Sequence, residues 1–210
     1  MFPLYAILDA SLAIARGYDP IDLARRCFDG GARLVQLRAK EAPAGQFLAW
    51  ADAVCDAARE YGADVILNDR ADIALMCGAT GVHVGQEDLP PAAVRRAAAG
   101  RPMRIGLSTH TEAQIAAAAR EPVDYIAIGP VFGTGTKDTG YTPVGLSMIG
   151  AAVGGSAGRP VVAIGGITLG TAPSIIAAGA SSVAVLSDLL STGDPAARVR
   201  AYLQALGARP

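Results

Sequence analysis

Lysine is almost missing from this chain. Of its 18 basic residues only Lys40 and Lys137 are lysines, and Asn68 is its one asparagine. Histidine is confined to His83 and His110, and cysteine to Cys27, Cys55 and Cys77. Three cysteines in helical-looking stretches, with no C-x-x-C pair, suggest neither a disulfide framework nor a zinc site and read as reduced core thiols. The two histidines are too far apart in sequence to suggest a metal, and His83, inside an apolar run, reads as a satisfied core residue. Long apolar runs are absent too: a stretch such as Ser182 to Leu186 falls far short of the roughly 20 residues that span a bilayer. The formal net charge is −1 with no basic cluster, which gives no general attraction to nucleic acid or to a membrane surface, so an anion must be captured locally. The opening MFPLYAILDA has no basic leader and meets Asp9 early, so no signal peptide is expected and the cytoplasm is the expected compartment.

What is abundant is core-forming material, 51% hydrophobic against 18% charged residues. It is arranged as a repeated rhythm of apolar run, polar loop and Ala/Leu-rich helical pattern. The apolar runs begin at Leu4, Leu34, Asp64, Gly81, Arg104, Tyr125, Val161 and Ser182. Helix starts are marked by Asp19-Pro20, by a Thr111 to Gln114 capping box, by Thr171 and by Asp194-Pro195. Gly30, Gly62, Gly100 and Gly179 fall where helix C-caps are expected. Strict strand-helix alternation implies a parallel sheet, and near-continuous apolar strands imply burial on both faces. Eight such units without a linker predict a single (β/α)8 TIM barrel over residues 1–210. A doubly wound open sheet is the alternative.

In such a barrel the C-terminal strand ends form the active-site face. The stretch LVQLRAK puts Gln36, Arg38 and Lys40 on one side of a strand, pointing toward that face. Lys40, Lys137 and Asn68 all fall at or just after strand ends, and a lysine kept where arginine serves elsewhere suggests a need for a compact ammonium. Asp69 and Asp88 follow strands three and four. Each alone reads as a helix N-cap; together on adjacent strands they could supply oxygen ligands to Mg²⁺ beside a phosphate. With Arg38, Lys40 and Lys137 they describe a diphosphate site. Ser108 ends strand five with its hydroxyl spare, because Thr111 already caps the next helix. The Gly/Thr-rich loop from Gly129 to Pro143 matches neither a P-loop nor G-x-G-x-x-G and reads as a ligand-covering loop. Backbone amides after strands seven and eight, around Gly165-Gly166 and Leu186-Ser187, imply a second phosphate site.

Taken in order, these motifs resemble the thiamine phosphate synthase family across nearly the whole chain. They are Q-L-R-x-K (Gln36 to Lys40), N-D (Asn68-Asp69), G-x-H-x-G-Q-x-D (Gly81 to Asp88), G-x-S (Gly106 to Ser108), G-P-V-F-x-T-x-T-K (Gly129 to Lys137), I-G-G-I (Ile164 to Ile167) and V-x-S (Val185 to Ser187). The resemblance implies that Gln36, Leu37, Arg38, Ala39, Lys40, Asn68, Ser108 and Lys137 hold 4-amino-5-hydroxymethyl-2-methylpyrimidine diphosphate, and that Asp69 and Asp88 bind Mg²⁺. It implies that Thr134, Gly135, Thr136, Gly166, Leu186 and Ser187 hold a thiazole phosphate. Leu186 departs from the Val or Ile usual in the family, at a position where mainly backbone is needed. The implied reaction joins the pyrimidine methylene carbon to the thiazole nitrogen with loss of diphosphate, and Arg38, Lys40 and Lys137 are its expected catalytic cations. Two rivals share the barrel: a thiazole tautomerase-like branch, which tends to lose the aspartate pair and to carry histidine near Pro130, and a phosphate-ligand sensor without turnover.

Overall fold

Leu4 on the first strand pairs with Val183 on the last, and that pairing decides between the closed barrel and the open sheet. The computed structural model describes residues 1–133 and 140–208. Its strands are β1 (Leu4–Asp9), β2 (Leu34–Arg38), β3 (Asp64–Asn68), β4 (Gly81–Val84), β5 (Arg104–Thr109), β6 (Tyr125–Ile128), β7 (Val161–Ile164) and β8 (Ser182–Val185). All pair in parallel with their chain neighbours, and β8 closes onto β1.

Alternation along each strand sorts the core into two layers. Tyr5, Ile7, Leu34, Ile66, Tyr125, Ala127, Val162 and Ala184 meet inside the barrel. Their neighbours Leu4, Ala6, Leu8, Val35, Leu37, Val65 and Leu67 face outward and pack under the helices. Those helices are α1 (Ala10–Ala15), α2 (Pro20–Asp29), α3 (Ala44–Tyr61), α4 (Ala71–Cys77), α5 (Pro91–Ala98), α6 (Glu112–Ala118), α7 (Ser147–Gly155), α8 (Ala172–Ala177) and α9 (Pro195–Ala205), with a short 3-10 turn at Ser187–Leu190. No described helix is long and apolar enough to cross a membrane.

The punctuation held in part. Asp19 and Asp194 cap α2 and α9, each accepting from backbone amides of the first turn. The Thr111 box is half formed: Thr111 Oγ1 accepts from Gln114 N, but Gln114 Oε1 turns to the amide of His110. Thr171 stands at the N-cap position of α8 as expected but makes no side-chain cap bond; its hydroxyl accepts from Thr168 N in the preceding turn. Gly62 ends α3 in the left-handed region, whereas the C-caps of α5 and α8 are Ala99 and Ala178, one residue before the expected glycines.

Candidate active site at the C-terminal rim

A cavity of about 630 Å³ opens at the C-terminal ends of the strands. It is lined by Tyr5, Gln36, His83 and Ser108, by Asp9, Arg38 and Asn68 at the ends of β1 to β3, and by Gly165, Gly166, Leu186 and Ser187 after β7 and β8. Seven of the twelve expected site residues among the described ones line this cavity; Leu37, Ala39, Lys40, Asp69 and Asp88 do not.

Gln36 and Arg38 point into this cavity, but β2 ends at Arg38 and Lys40 follows beyond it. Lys40 lines an adjoining cavity of about 460 Å³ together with Arg16, Arg38, Asp9 and Ser187. The row read from LVQLRAK thus reaches two connected spaces instead of one. Leu37 and Ala39 turn the other way and are buried in the layer under the helices, so only their backbone is available to a ligand. Arg38 is held by an ion pair to Asp9, whose other oxygen accepts from Leu12 N at 2.9 Å and caps α1.

Asp69 and Asp88 do not cap helices. The cap residues of α4 and α5 are Arg70 and Pro90, neither with a side-chain cap bond. Asp69 sits at φ 62°, which turns its carboxylate away from the first turn of α4. Its Oδ2 lies 3.1 Å from Lys40 Nζ. Burial pushes the Asp69 carboxyl above the ordinary aspartate range; Lys40 opposes that shift, and a hydrogen bond and like charge from Asp88 reinforce it. Asp88 is itself oriented by Gly85 N, which donates to its Oδ2 at 2.7 Å. Two carboxylates held against one another in a partly desolvated place form a donor set that suits a hard divalent cation. Among the described residues no group of three or more His, Cys, Asp or Glu side chains could hold a metal, so the protein would supply two ligands and leave the rest to phosphate oxygens and water.

The hydroxyl of Ser108 is not spare. Ser108 faces the barrel interior, where its Oγ lies 2.8 Å from His83 Nε2. The other ring nitrogen of His83 lies 3.0 Å from the Tyr125 hydroxyl, that hydroxyl 3.1 Å from the Tyr5 hydroxyl, and Gln36 Nε2 donates to Tyr5 at 2.8 Å. His83 is buried and satisfied, as expected, but it also lines the cavity. Tyr125 fits because β5 carries glycine beside it: a Cβ on Gly106 would stand 2.1 Å from the Tyr125 ring.

After β7, Gly165 and Gly166 both have positive φ, 101° and 63°. A Cβ on Gly166 would stand 2.4 Å from the carbonyl oxygen of Gly133, so the glycine is needed for the β6 loop to pass as well as for any ligand. Thr134, Gly135, Thr136 and Lys137 lie outside the described residues. Asp9, Arg16 and His110 were not anticipated as cavity residues. Asp9 could have been, since it ends β1 as Asn68 ends β3; Arg16, after α1, carries no such signal.

Comparison with known proteins bears on the family and the fold. The family profile described as thiamine monophosphate synthase matches residues 4–189. A thiamine-phosphate synthase from Roseiflexus castenholzii is 40% identical over 199 residues, covering 94% of this chain and 85% of its own. One from Methanoculleus marisnigri is 39% identical over 207 residues, covering 99% and 96%. Among solved structures, thiamine phosphate pyrophosphorylase from Pyrococcus furiosus superposes with a TM-score of 0.87 at 27% identity, covering 98% of this chain and 95% of that one.

Proposed function

The chain belongs to the thiamine monophosphate synthase family, and from that premise we propose how its rim divides the work of forming thiamine phosphate. The substrates are 4-amino-5-hydroxymethyl-2-methylpyrimidine diphosphate and 4-methyl-5-(2-phosphooxyethyl)thiazole. The observation that supports the assignment best is the grouping of Lys40, Asp69 and Asp88 beside Arg38, a set of cations and paired carboxylates suited to diphosphate.

A carbon–nitrogen bond forms between the pyrimidine methylene and the thiazole nitrogen, and the carbon–oxygen bond to diphosphate breaks with its electron pair leaving on oxygen. The attacking nitrogen carries a lone pair and no proton, so the chain needs no general base. Its task is to stabilise charge growing on the leaving group, the role of the cations Arg38, Lys40 and Lys137. Asp69 and Asp88 would hold Mg²⁺. When bound, the ion neutralises diphosphate charge. Asp9 keeps Arg38 at the cavity wall through their ion pair. Gln36, Asn68 and Ser108 seat the pyrimidine, with Leu37 and Ala39 contributing backbone only. Gly166, Leu186 and Ser187 hold the thiazole phosphate by amides and a hydroxyl, a role that the family resemblance also gives to Thr134, Gly135 and Thr136. The cytoplasm is the compartment in which this chemistry runs.

The test is to incubate purified protein with both phosphorylated precursors, with and without Mg²⁺, and to detect thiamine phosphate by mass. Product that requires both precursors and Mg²⁺ is the expected result. Binding of both precursors without turnover in saturating Mg²⁺ would defeat it in favour of a sensor.

A further inference from the structure

Five side chains from five different strands form one unbroken hydrogen-bond path across the barrel floor. It runs from Gln36 to Tyr5, Tyr125, His83 and Ser108, with successive separations of 2.8, 3.1, 3.0 and 2.8 Å. Both ends line the cavity, whereas the Tyr125 hydroxyl at the middle is buried.

One arrangement of protons gives every hydroxyl hydrogen inside this path an acceptor within it. An amide nitrogen donates and does not accept, so Gln36 Nε2 gives its hydrogen to Tyr5. Tyr5 has one hydroxyl hydrogen, and its remaining partner is the oxygen of Tyr125. In that arrangement Tyr125 gives its own hydrogen to His83 Nδ1. A neutral imidazole that accepts at Nδ1 carries its hydrogen on Nε2, so His83 donates to Ser108 Oγ. The hydroxyl hydrogen of Ser108 is left for the cavity. Burial pushes both phenols above the usual tyrosine range, so each keeps its single proton. At the other end, the amide oxygen of Gln36 makes no hydrogen bond among the described residues.

We propose that this path is a one-way relay that fixes the polarity of the cavity floor, with Gln36 presenting an acceptor and Ser108 a donor, and that Tyr5, Tyr125 and His83 are positioning residues which select a 4-aminopyrimidine. The inference rests on the pyrimidine-binding role given above to Gln36 and Ser108. A 4-aminopyrimidine carries a donor at the amino group beside a ring-nitrogen acceptor, the complement of the floor. Its 4-oxo counterpart carries an acceptor beside a ring N–H and is mismatched at both points. None of the three relay residues needs to touch the ligand; without them the Gln36 amide and the Ser108 hydroxyl can each turn to suit either ring.

The experiment compares calorimetric affinities of the 4-amino and 4-oxo forms of 5-hydroxymethyl-2-methylpyrimidine monophosphate for the intact chain and its variants. The unaltered chain should favour the amino form by ~10-fold or more, as expected where two hydrogen bonds are matched on one ring and unmatched on the other. Tyr125→Phe should bring that preference close to parity while leaving thiazole phosphate affinity unchanged. Because that variant strands a buried hydroxyl on Tyr5, the double variant Tyr5→Phe with Tyr125→Phe removes both groups and should show the same loss. A merely structural role would weaken both pyrimidines equally, and that result, or a preference that survives in the double variant, overturns the relay. The synthase reading fails separately: an unaltered chain that forms no thiamine phosphate defeats that reading, while the binding preference still decides the relay.

Discussion

Lys40 Nζ lies 3.1 Å from Asp69 Oδ2, so one of the two lysines of the chain is already engaged with a carboxylate assigned to the metal. Burial raises the affinity of Asp69 for a proton, and its hydrogen bond and like charge with Asp88 add to that against the pull of Lys40. A divalent cation there would offset the repulsion between the two carboxylates.

Asp69→Asn and Asp88→Asn should therefore each lose Mg²⁺-dependent activity by ~10²-fold or more, a loss typical when a charge-stabilising contact is removed. Asparagine tolerates the φ of 62° at position 69 better than alanine does, so unfolding should not obscure the result. Steady-state rates across a Mg²⁺ titration, with circular dichroism as the control, check it. Full activity at ordinary Mg²⁺ in either variant would remove that aspartate from the metal site.

Asp9 does two things that substitution can separate. Asp9→Asn keeps an oxygen for the Leu12 amide but loses the charge facing Arg38, whereas Asp9→Ala loses both. Both should raise KM for the pyrimidine diphosphate, and only the alanine variant should also lose ~1 kcal/mol of stability as an uncapped helix does. Thermal melts beside the kinetics distinguish the two effects. Equal melting temperatures for the two variants would show that the cap bond contributes nothing.

The two arcs of the cavity should answer to different substrates. Ser187→Ala should raise KM for the thiazole phosphate modestly, since backbone amides remain, and leave the pyrimidine diphosphate KM nearly unchanged. Gly166→Ala should be worse, because the added Cβ would press on the Gly133 carbonyl at 2.4 Å and the backbone already stands at φ 63°. Varying each substrate in turn is the measurement; a Ser187→Ala effect confined to the pyrimidine would reverse the assignment of the arcs.

Glycines in this barrel should divide by what surrounds them. Gly106→Ala places a Cβ 2.1 Å from the Tyr125 ring and should cost ~1–3 kcal/mol, as overpacking of a core does. Gly150→Ala, in α7 with nothing within 4 Å of the new Cβ, should instead stabilise by ~0.5–1 kcal/mol. Denaturant melts of the two variants should move in opposite directions.

The strands were legible because each is a short apolar run bounded by polar loops, and β1 and β2 fall on the residues first read as Leu4–Asp9 and Leu34–Arg38. The metal pair was only half legible. An aspartate before a helical pattern reads as a cap, and nothing in the sequence near Asp69 announces the backbone turn that points it elsewhere. Lys40 was expected in the same pocket as Gln36 and Arg38, but β2 ends at Arg38 and Lys40 lines a neighbouring space. The floor network was invisible for a different reason. Tyr5 and Tyr125 meet across the barrel from positions 120 residues apart, and in sequence each looks like one more large side chain in an apolar strand.

Gly106 and Tyr125 occupy what is in effect one shared volume, and this restricts how such a cavity can diverge. Enlarging residue 106 alone produces a collision, and shrinking residue 125 alone leaves a void under the ligand. The depth of the cavity can change smoothly only when both positions change together. A two-site library at 106 and 125 is thus the shortest route to a barrel that accepts a larger or smaller ring, and lineages that alter ring size should carry compensating substitutions at these two places.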